Sequence, residues 1–230
     1  MLKEEFKDTA LLFFSRSAKT ESQEKSILKG RRLNFCAISN MIEHTRKVAE
    51  LTGLDVIVDS ELSQEGNSFG EKLYNSILKI FESGVDNLIV IGNDCLNLRS
   101  EDILFAASCL KTNDRIFAPT KYGGVYLLGF RKGSISEEFK HIGWNTQSVF
   151  SDLKNLYLEK GNNYFFKRVL EDINFQNDLI QVINKLKDNV DIVKFVKSIL
   201  LNIRRNYFSL AELLTFCKVS NAHRGPPLVI

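Results

Sequence analysis

None of the four cysteines, Cys36, Cys95, Cys109 and Cys217, stands at C-x-x-C spacing from another. Each lies in or beside an apolar segment, which argues against a zinc site or a disulfide framework and for reduced, mostly buried thiols. No stretch approaches the ~20 consecutive apolar residues of a membrane span, and the opening MLKEEFKDTA carries charge where a secretory signal would be apolar. A cytoplasmic protein without a transmembrane segment is expected. Excess charge of one sign is also missing: a formal net charge of +3 spreads lysine and arginine among 28 acids. That balance argues against nucleic acid, which requires a concentrated basic surface. Proline is scarce, and two of the three, Pro226 and Pro227, sit in the final HRGPPLVI. They exclude regular structure there and suggest a tail that is loosely ordered or docked on a partner.

What is present is an ordinary globular composition, 230 residues with 44% apolar and 26% charged, enough for one domain with an appendage. Strands are expected over Thr9 to Ser15, Leu54 to Asp59 and Leu88 to Ile91. A polar loop, SRSAKTESQEK, follows the first of them. Helices are expected from about Arg31 to Leu51, from Phe69 to a stop at Gly84, and from an N-cap at Ser100 to Leu110. This β-α-β-α-β-α order implies a mostly parallel sheet with helices on both faces and a ligand crevice at the carboxyl ends of the strands. The next two strands, Arg115 to Pro119 and Gly124 to Phe130, are separated only by TKYG, so one of them should run antiparallel. A helix over Gln147 to Glu159, a strand over Tyr164 to Leu170, a mainly helical Asp178 to Leu201 and a short helix over Leu210 to Cys217 complete the pattern. The division expected is a nucleotide-binding domain over 1–180, with a helical extension and tail over 181–230.

Four constellations could carry chemistry, and each has a purely structural alternative. In NLIVIGNDCLNLRSEDI the buried strand ends at Gly92 and delivers the carboxylate of Asp94 to the crevice. Asp94 either caps nearby N–H groups or meets a metal or substrate. In QEGNSFGEK, from Gln64 to Lys72, Gly66 and Gly70 bracket a helix start that could face an anion or be a plain cap. In APTKYGGVYLLG the adjacent Gly123 and Gly124 suit either a ligand floor or a tight turn. In GWNT the only tryptophan, Trp144, lines a pocket or packs into the core.

The order and spacing of these segments resemble a bacterial glycosyltransferase-A-like family, the nucleotide-diphospho-sugar transferase or arsenosugar-biosynthesis-type glycosyltransferases, over roughly Thr9 to Leu179. The family's Q-G-x-L-G-E-R-like segment corresponds to Gln64, Gly66 and Phe69-Gly70-Glu71-Lys72. Its G-S/N-D-C-P corresponds to Gly92-Asn93-Asp94-Cys95. Its G-P-x-x-D-G-G-Y-Y-L-L-G corresponds to Pro119 with Gly123-Gly124-Val125-Tyr126-Leu127-Leu128-Gly129, and its W-S/G-T to Trp144-Asn145-Thr146.

The resemblance implies a glycosyltransferase-A-like α/β fold binding a nucleotide sugar, with Asp94 as a ligand of Mg²⁺ or Mn²⁺ on the diphosphate. It implies Arg16 and Lys25 near phosphates, and Gln64, Gly70, Tyr122, Gly123, Gly124, Trp144 and Thr146 around the substrate. The late family motif D-I-D-T-x-x-D-L, matched by Asp172-Ile173-Asn174-Phe175-Gln176-Asn177-Asp178-Leu179, offers Asn174 or Asp172 as a further metal ligand. Glu71 is the motif carboxylate placed to deprotonate an acceptor hydroxyl, although capping accounts for it equally well. The departures are as informative. The family's first loop, A-R-x-P-x-x-G-x-x-K-T-R-L, keeps only Arg16 and Lys25 here, and Tyr122 stands where D-G-G has its carboxylate. A phenol carries no such charge at neutral pH. Three functions follow: metal-dependent glycosyl transfer to an acceptor the residues do not specify, binding of a nucleotide or partner without turnover, and nucleotidyl transfer, which the same fold also hosts.

Overall fold

Ala10, Leu12 and Phe14 are buried on one side of the first strand, and Leu11 and Phe13 are buried on the other. A strand with a period of two and no polar face must lie inside a layered sheet. The computed structural model, which describes residues 2–185, shows that sheet. Its elements in chain order are α1 (Leu2–Glu5), β1 (Thr9–Phe14), α2 (Ala18–Glu24), α3 (Arg31–Glu50), β2 (Asp55–Asp59), α4 (Phe69–Glu82) and β3 (Asn87–Ile91). Then come α5 (Ser100–Cys109), β4 (Arg115–Pro119), β5 (Val125–Arg131), a 3-10 helix (Glu137–His141), α6 (Val149–Tyr157), β6 (Asn163–Phe165) and α7 (Gln176–Lys185).

The strand order is β2-β1-β3-β5-β4-β6, parallel except for β5, which runs antiparallel to both β3 and β4. One face is covered by α3 and α5 through Val48, Ala49, Ile103, Ala106 and Leu110. The other is covered by α4, the 3-10 helix and α6 through Leu73, Ile77, Phe81, Phe139 and Leu153. A third apolar cluster joins Ile38 and Met41 of α3 to Leu179, Val182 and Ile183 of α7, with Ile27, Leu96 and Ile173 between them. α7 therefore runs through position 180, and its far side packs on the same body as its near side. The rest of the 181–230 segment, including the helix expected over Leu210 to Cys217 and the proline-containing tail, lies outside the described residues.

Several expectations are corrected. The loop read over SRSAKTESQEK contains α2, a seven-residue helix whose Ser17 side chain accepts from Thr20 N. The strand expected over Tyr164 to Leu170 shortens to β6, and pairing resumes only as a bridge between Thr120 and Leu170. Ser100 is not the cap of α5: the cap is Arg99, and Asp102 reaches back to accept from Arg99 N at 3.0 Å. Cys36, Cys95 and Cys109 are free thiols, and burial pushes Cys95 upward in pKa, with Asp94 and Asp172 adding to the effect. Cys217 lies outside the described residues. No helix among the described residues is long and apolar enough to cross a membrane.

Candidate functional site

β2 lies on one side of β1 and β3 on the other. The chain therefore leaves β1 in one direction and returns past it to build β3, and such a reversal opens a crevice at the strands' carboxyl ends. The loops entering that crevice are Ser15 to Ser17 after β1 and Gly92 to Arg99 after β3. Ile91 is fully buried, and Asn93 and Cys95 are also buried, but Asp94 between them keeps its carboxyl group 39% exposed. The strand end thus presents one carboxylate to solvent from an otherwise apolar wall.

That carboxylate does not cap a helix. Asp94 Oδ1 accepts an ion-paired hydrogen bond from Lys25 Nζ at 2.8 Å, and the lysine side chain is only 13% exposed. Burial opposes the charged ammonium, but Asp94 outweighs it with help from Glu21 and Asp172, and the Lys25 pKa is raised. Asn34, on the first turn of α3, fixes the lysine's backbone. Its Oδ1 accepts from Ile27 N at 2.8 Å and Leu28 N at 3.1 Å, and its Nδ2 donates to Ser22 O at 3.0 Å and Lys25 O at 2.7 Å. Glu21 completes this side: burial first, then the negative charge of Asp94, raise its pKa, while Lys25 and Arg16 oppose the shift. Arg16 lies 3.5 Å from Glu21.

The third segment of the site arrives from far along the chain. Lys121 N donates to Leu170 O at 2.8 Å, and Ile173 N donates to Asp94 O at 3.0 Å, so the segment between them is tied to both strand ends. It carries Asp172, whose Oδ2 accepts from Asn174 Nδ2 at 2.8 Å. Asp172 Oδ1 is buried and has no hydrogen-bond partner among the described residues. A buried carboxylate oxygen without a protein donor calls for a water or an ion as its partner. Asn174 Nδ2 thus bonds Asp172, and the backbone N–H of Asn174 donates to Asp178 at 3.0 Å, which leaves the Asn174 side-chain oxygen uninvolved in either bond. Among the described residues no three acidic, histidine or cysteine side chains gather as a metal cage. Asp94 and Asp172 are the two hard oxygen donors that fit Mg²⁺ or Mn²⁺, with phosphate and water supplying the remaining ligands, as these ions commonly require.

The other motif residues have structural partners. Glu71 forms a capping box with Ser68 and accepts from Asn67 N at 2.7 Å. Those backbone bonds, from Asn67 and then Ser68, lower its pKa, the opposite of what a general base needs. Gln64 Nε2 donates to Asp59 O at 3.2 Å at the end of β2. Gly70 is demanded by packing: a Cβ there would lie 2.2 Å from Lys140 O and 2.7 Å from the Trp144 ring. Trp144 is half-buried against Phe69 and Phe139 and donates from Nε1 to Phe139 O at 3.1 Å. Thr146 Oγ1 donates to Gly143 O at 2.5 Å inside its own turn. Gly123 has φ +85°, and a Cβ would lie 1.8 Å from Gln147 O, so the backbone just before α6 and not a ligand fills that space. Gly124 closes the β4–β5 turn by donating to Thr120 Oγ1 at 3.0 Å. Tyr122, at the tip of the turn, is 40% exposed with the Lys121 ammonium 5.3 Å above its ring.

Sequence reasoning missed Asn34, Glu21, Asp59 and Glu61. Asp59 is buried at the end of β2, where Ser63 and Ser76 donate to it. Glu61 accepts from Ser17 N at 2.6 Å and from the hydroxyls of Ser17 and Thr20. Burial works against its ionisation, but these bonds, led by the Ser17 hydroxyl, prevail and hold the carboxyl at about 2. All four lie on otherwise unremarked polar positions. Only the strand-end placement of Asp59 in LDVIVD offered a signal.

Residues 44–146, from the middle of α3 to the turn before α6, match the model of a family described as "Uncharacterized protein conserved in bacteria (DUF2064)". The matched segment includes Asp94, the double glycine and Trp144 but neither Lys25 nor Asp172. No curated protein matches the chain. Among solved structures, a "putative nucleotide-diphospho-sugar transferase" from Desulfovibrio desulfuricans G20 is similar at 18% identity and a TM-score of 0.74, covering 86% of this chain and 97% of that one. A 4-diphosphocytidyl-2C-methyl-D-erythritol synthase from Anaerococcus prevotii DSM 20548 aligns at 9% identity and a TM-score of 0.46, covering 78% and 98%. Rv0371c from Mycobacterium tuberculosis H37Rv, crystallised with manganese, aligns at 10% identity and a TM-score of 0.43, covering 77% and 99%. Residues 44–146 match that family model, and over most of its length the chain shares the fold of the "putative nucleotide-diphospho-sugar transferase", a glycosyltransferase-A-like α/β fold.

Proposed function

We propose that the protein is a transferase that binds a nucleotide sugar across the carboxyl ends of β1 and β3 and passes the sugar to an acceptor, with Mg²⁺ or Mn²⁺ held by Asp94 and Asp172. The observation that carries this reading is the convergence of Asp94, Lys25 and the buried, unpartnered Asp172 Oδ1 at the sheet's point of reversal. As the bond from the anomeric carbon to phosphate oxygen breaks, negative charge collects on the departing nucleoside diphosphate. Lys25 and Arg16 supply fixed positive charge on that side of the crevice, where it is worth most because the site is partly dry. The divalent cation, when bound, adds Lewis-acid stabilisation of the same leaving group.

A second reading, nucleotide binding without turnover, is favoured by two observations. Glu71 is committed to its capping box, and Tyr122 offers no carboxylate at the β4–β5 turn. An ordinary turnover rate, on the order of 1 per second, would remove it, whereas a silent parent that gains activity in Tyr122→Asp would support it.

The test of the first reading is a thermal-shift panel of nucleotide sugars and nucleoside triphosphates, with and without Mn²⁺. A ligand at 100 times its dissociation constant stabilises the fold by about 2.7 kcal/mol. Asp94→Asn should retain the fold and lose the Mn²⁺ enhancement. Equal enhancement in variant and parent would remove Asp94 from the site.

A further inference from the structure

We propose that the outer edge of β6 pairs antiparallel with β6 of a second copy of this chain, joining two six-stranded sheets across a two-fold axis at Tyr164. The proposal is independent of the crevice and its reaction.

β2 and β6 are the two edges of the sheet. Asn162 O accepts from Arg115 N at 3.2 Å, and Phe166 N donates to Phe117 O at 3.0 Å, so both ends of β6 are tied to β4. Backbone groups alternate along a parallel ladder. Tyr164 therefore turns inward, and the N–H and C=O of Asn163 and Phe165 turn away from β4. No strand lies beyond them among the described residues. An axis at Tyr164 sets Asn163 against Phe165 of the copy, and each such pair exchanges both of its hydrogen bonds. It also brings the two Tyr164 side chains together as a cross-strand aromatic pair. Phe105 of α5, 48% exposed, lies beside that tyrosine with ring centroids 5.8 Å apart, which widens the apolar seam.

Charge decides between the edges and between orientations. Glu159 precedes β6 and Lys167 follows it, both exposed and neither ion-paired among the described residues, while Lys160 and Arg168 beside them are engaged by Glu138 and Asp102. In the antiparallel copy Lys167 arrives opposite Gly161, two positions from Glu159, and the symmetry repeats this at the other end of the seam. A parallel copy would set lysine beside lysine and glutamate beside glutamate. At β2 the same operation about Ile57 opposes Asp55 and Asp59, so that edge repels its own copy.

The experiment is sedimentation velocity of the full chain over concentrations on the order of 1–100 µM, with amide hydrogen exchange at both ends of that range. The parent should approach twice the 26.3 kDa of one chain as concentration rises. The Asn163 and Phe165 amides should then exchange about tenfold or more slowly. Lys167→Glu should weaken the dimer about tenfold, because both symmetric pairs become repulsive, and adding Glu159→Lys should restore it. Tyr164→Lys, which sets two ammonium groups against each other on the axis, should give a monomer. The two charge variants lie at exposed positions and decide the matter should Tyr164→Lys fail to fold. A monomer throughout the range overturns the proposal, as does a dimer that Lys167→Glu leaves unchanged. Failure of the double variant to recover overturns the antiparallel arrangement. A monomer whose Asn163 and Phe165 amides are already protected shows that something other than a second copy covers the edge, and overturns the proposal too.

Discussion

Asn34→Ala is the most demanding test of how the site is built, because one buried amide holds the whole turn from Ser22 to Leu28. The side chain is 4% exposed and makes four hydrogen bonds, two accepted and two donated, all to backbone groups. Ile27 and Leu28, whose N–H groups it serves, are themselves 1% and 3% exposed, so water does not readily replace the lost oxygen. An intramolecular hydrogen bond contributes about 1 kcal/mol net, and a buried group left unpaired costs roughly 1–3 kcal/mol. Allowing the two carbonyls partial relief, the loss should be about 3 kcal/mol, or roughly 6–12 °C in Tm for a chain of this size. Urea unfolding followed by circular dichroism should show a lower midpoint with an unchanged m-value. In the variant that remains folded, Lys25 loses its fixed root, and nucleotide binding should weaken further than in a comparably destabilised core variant such as Ile38→Ala, for which a cost of roughly 2–5 kcal/mol is usual. A loss below about 0.5 kcal/mol, the range of an ordinary surface change, would refute the view that Asn34 holds this turn.

Gly123→Ala and Gly124→Ala separate a structural turn from a ligand floor. The first forces a Cβ to 1.8 Å from Gln147 O at φ +85° and should lower Tm by several degrees, while the second meets only Thr120 Oγ1 at 3.0 Å and should be mild. Equal stability of the two variants with nucleotide binding lost in both would restore the floor. The Glu61 carboxyl, lowered from 4.5 to about 2, contributes stability that is present above pH 4.5 and is lost as the pH falls toward 2. Glu61→Gln should therefore flatten the acid limb of a pH-stability curve, by about 1 kcal/mol because the pair is screened by solvent, and an unchanged limb would show that these bonds contribute nothing. Trp144 has its Nε1–H satisfied by Phe139 O and its ring against Gly70, so nucleotide titration should leave its emission nearly constant. A saturable emission change at the calorimetric affinity would put the indole back in the binding site.

The central layer was legible because it obeys local rules. Fully apolar runs such as Leu88 to Ile91 permit only a doubly covered strand, and the four-residue gap TKYG permits no helical crossover, so one of β4 and β5 must run antiparallel, and the sheet shows that it is β5. α3 and α4 followed from helical spacing ended by Gly53 and Gly84, both with positive φ. α2 was not legible, because six of its seven residues are polar and its N-terminus is held by Glu61, more than forty positions away. β6 stops after three residues, although Tyr164, Phe165 and Phe166 continue the apolar pattern, since register with β4 ends at Phe117. The site divides in the same way. Asp94 announced itself by ending a buried strand, whereas the pairing of Asp94 with Lys25 and the buried, unpartnered Asp172 Oδ1 depend on chain reversals that no local pattern encodes. Gly70 and Gly123 are compatible in sequence with either a ligand surface or a cap and tight turn, and their missing Cβ atoms admit Lys140 and Trp144 at the first and Gln147 at the second.

The bond from Ile173 N to Asp94 O joins positions 79 residues apart and sets an order of events during synthesis. At 5–20 residues per second, Asp94 leaves the ribosome about 4–16 s before the segment that completes its surroundings. In that interval β1, β2 and β3 have all been made, and Lys25 and Asp94 can already pair. Asp172 joins a neutralised partner and not a bare carboxylate. The Lys25–Asp94 ion pair thus keeps a lone carboxylate from standing uncompensated at the end of a buried strand while the segment that carries Asp172 is still being translated.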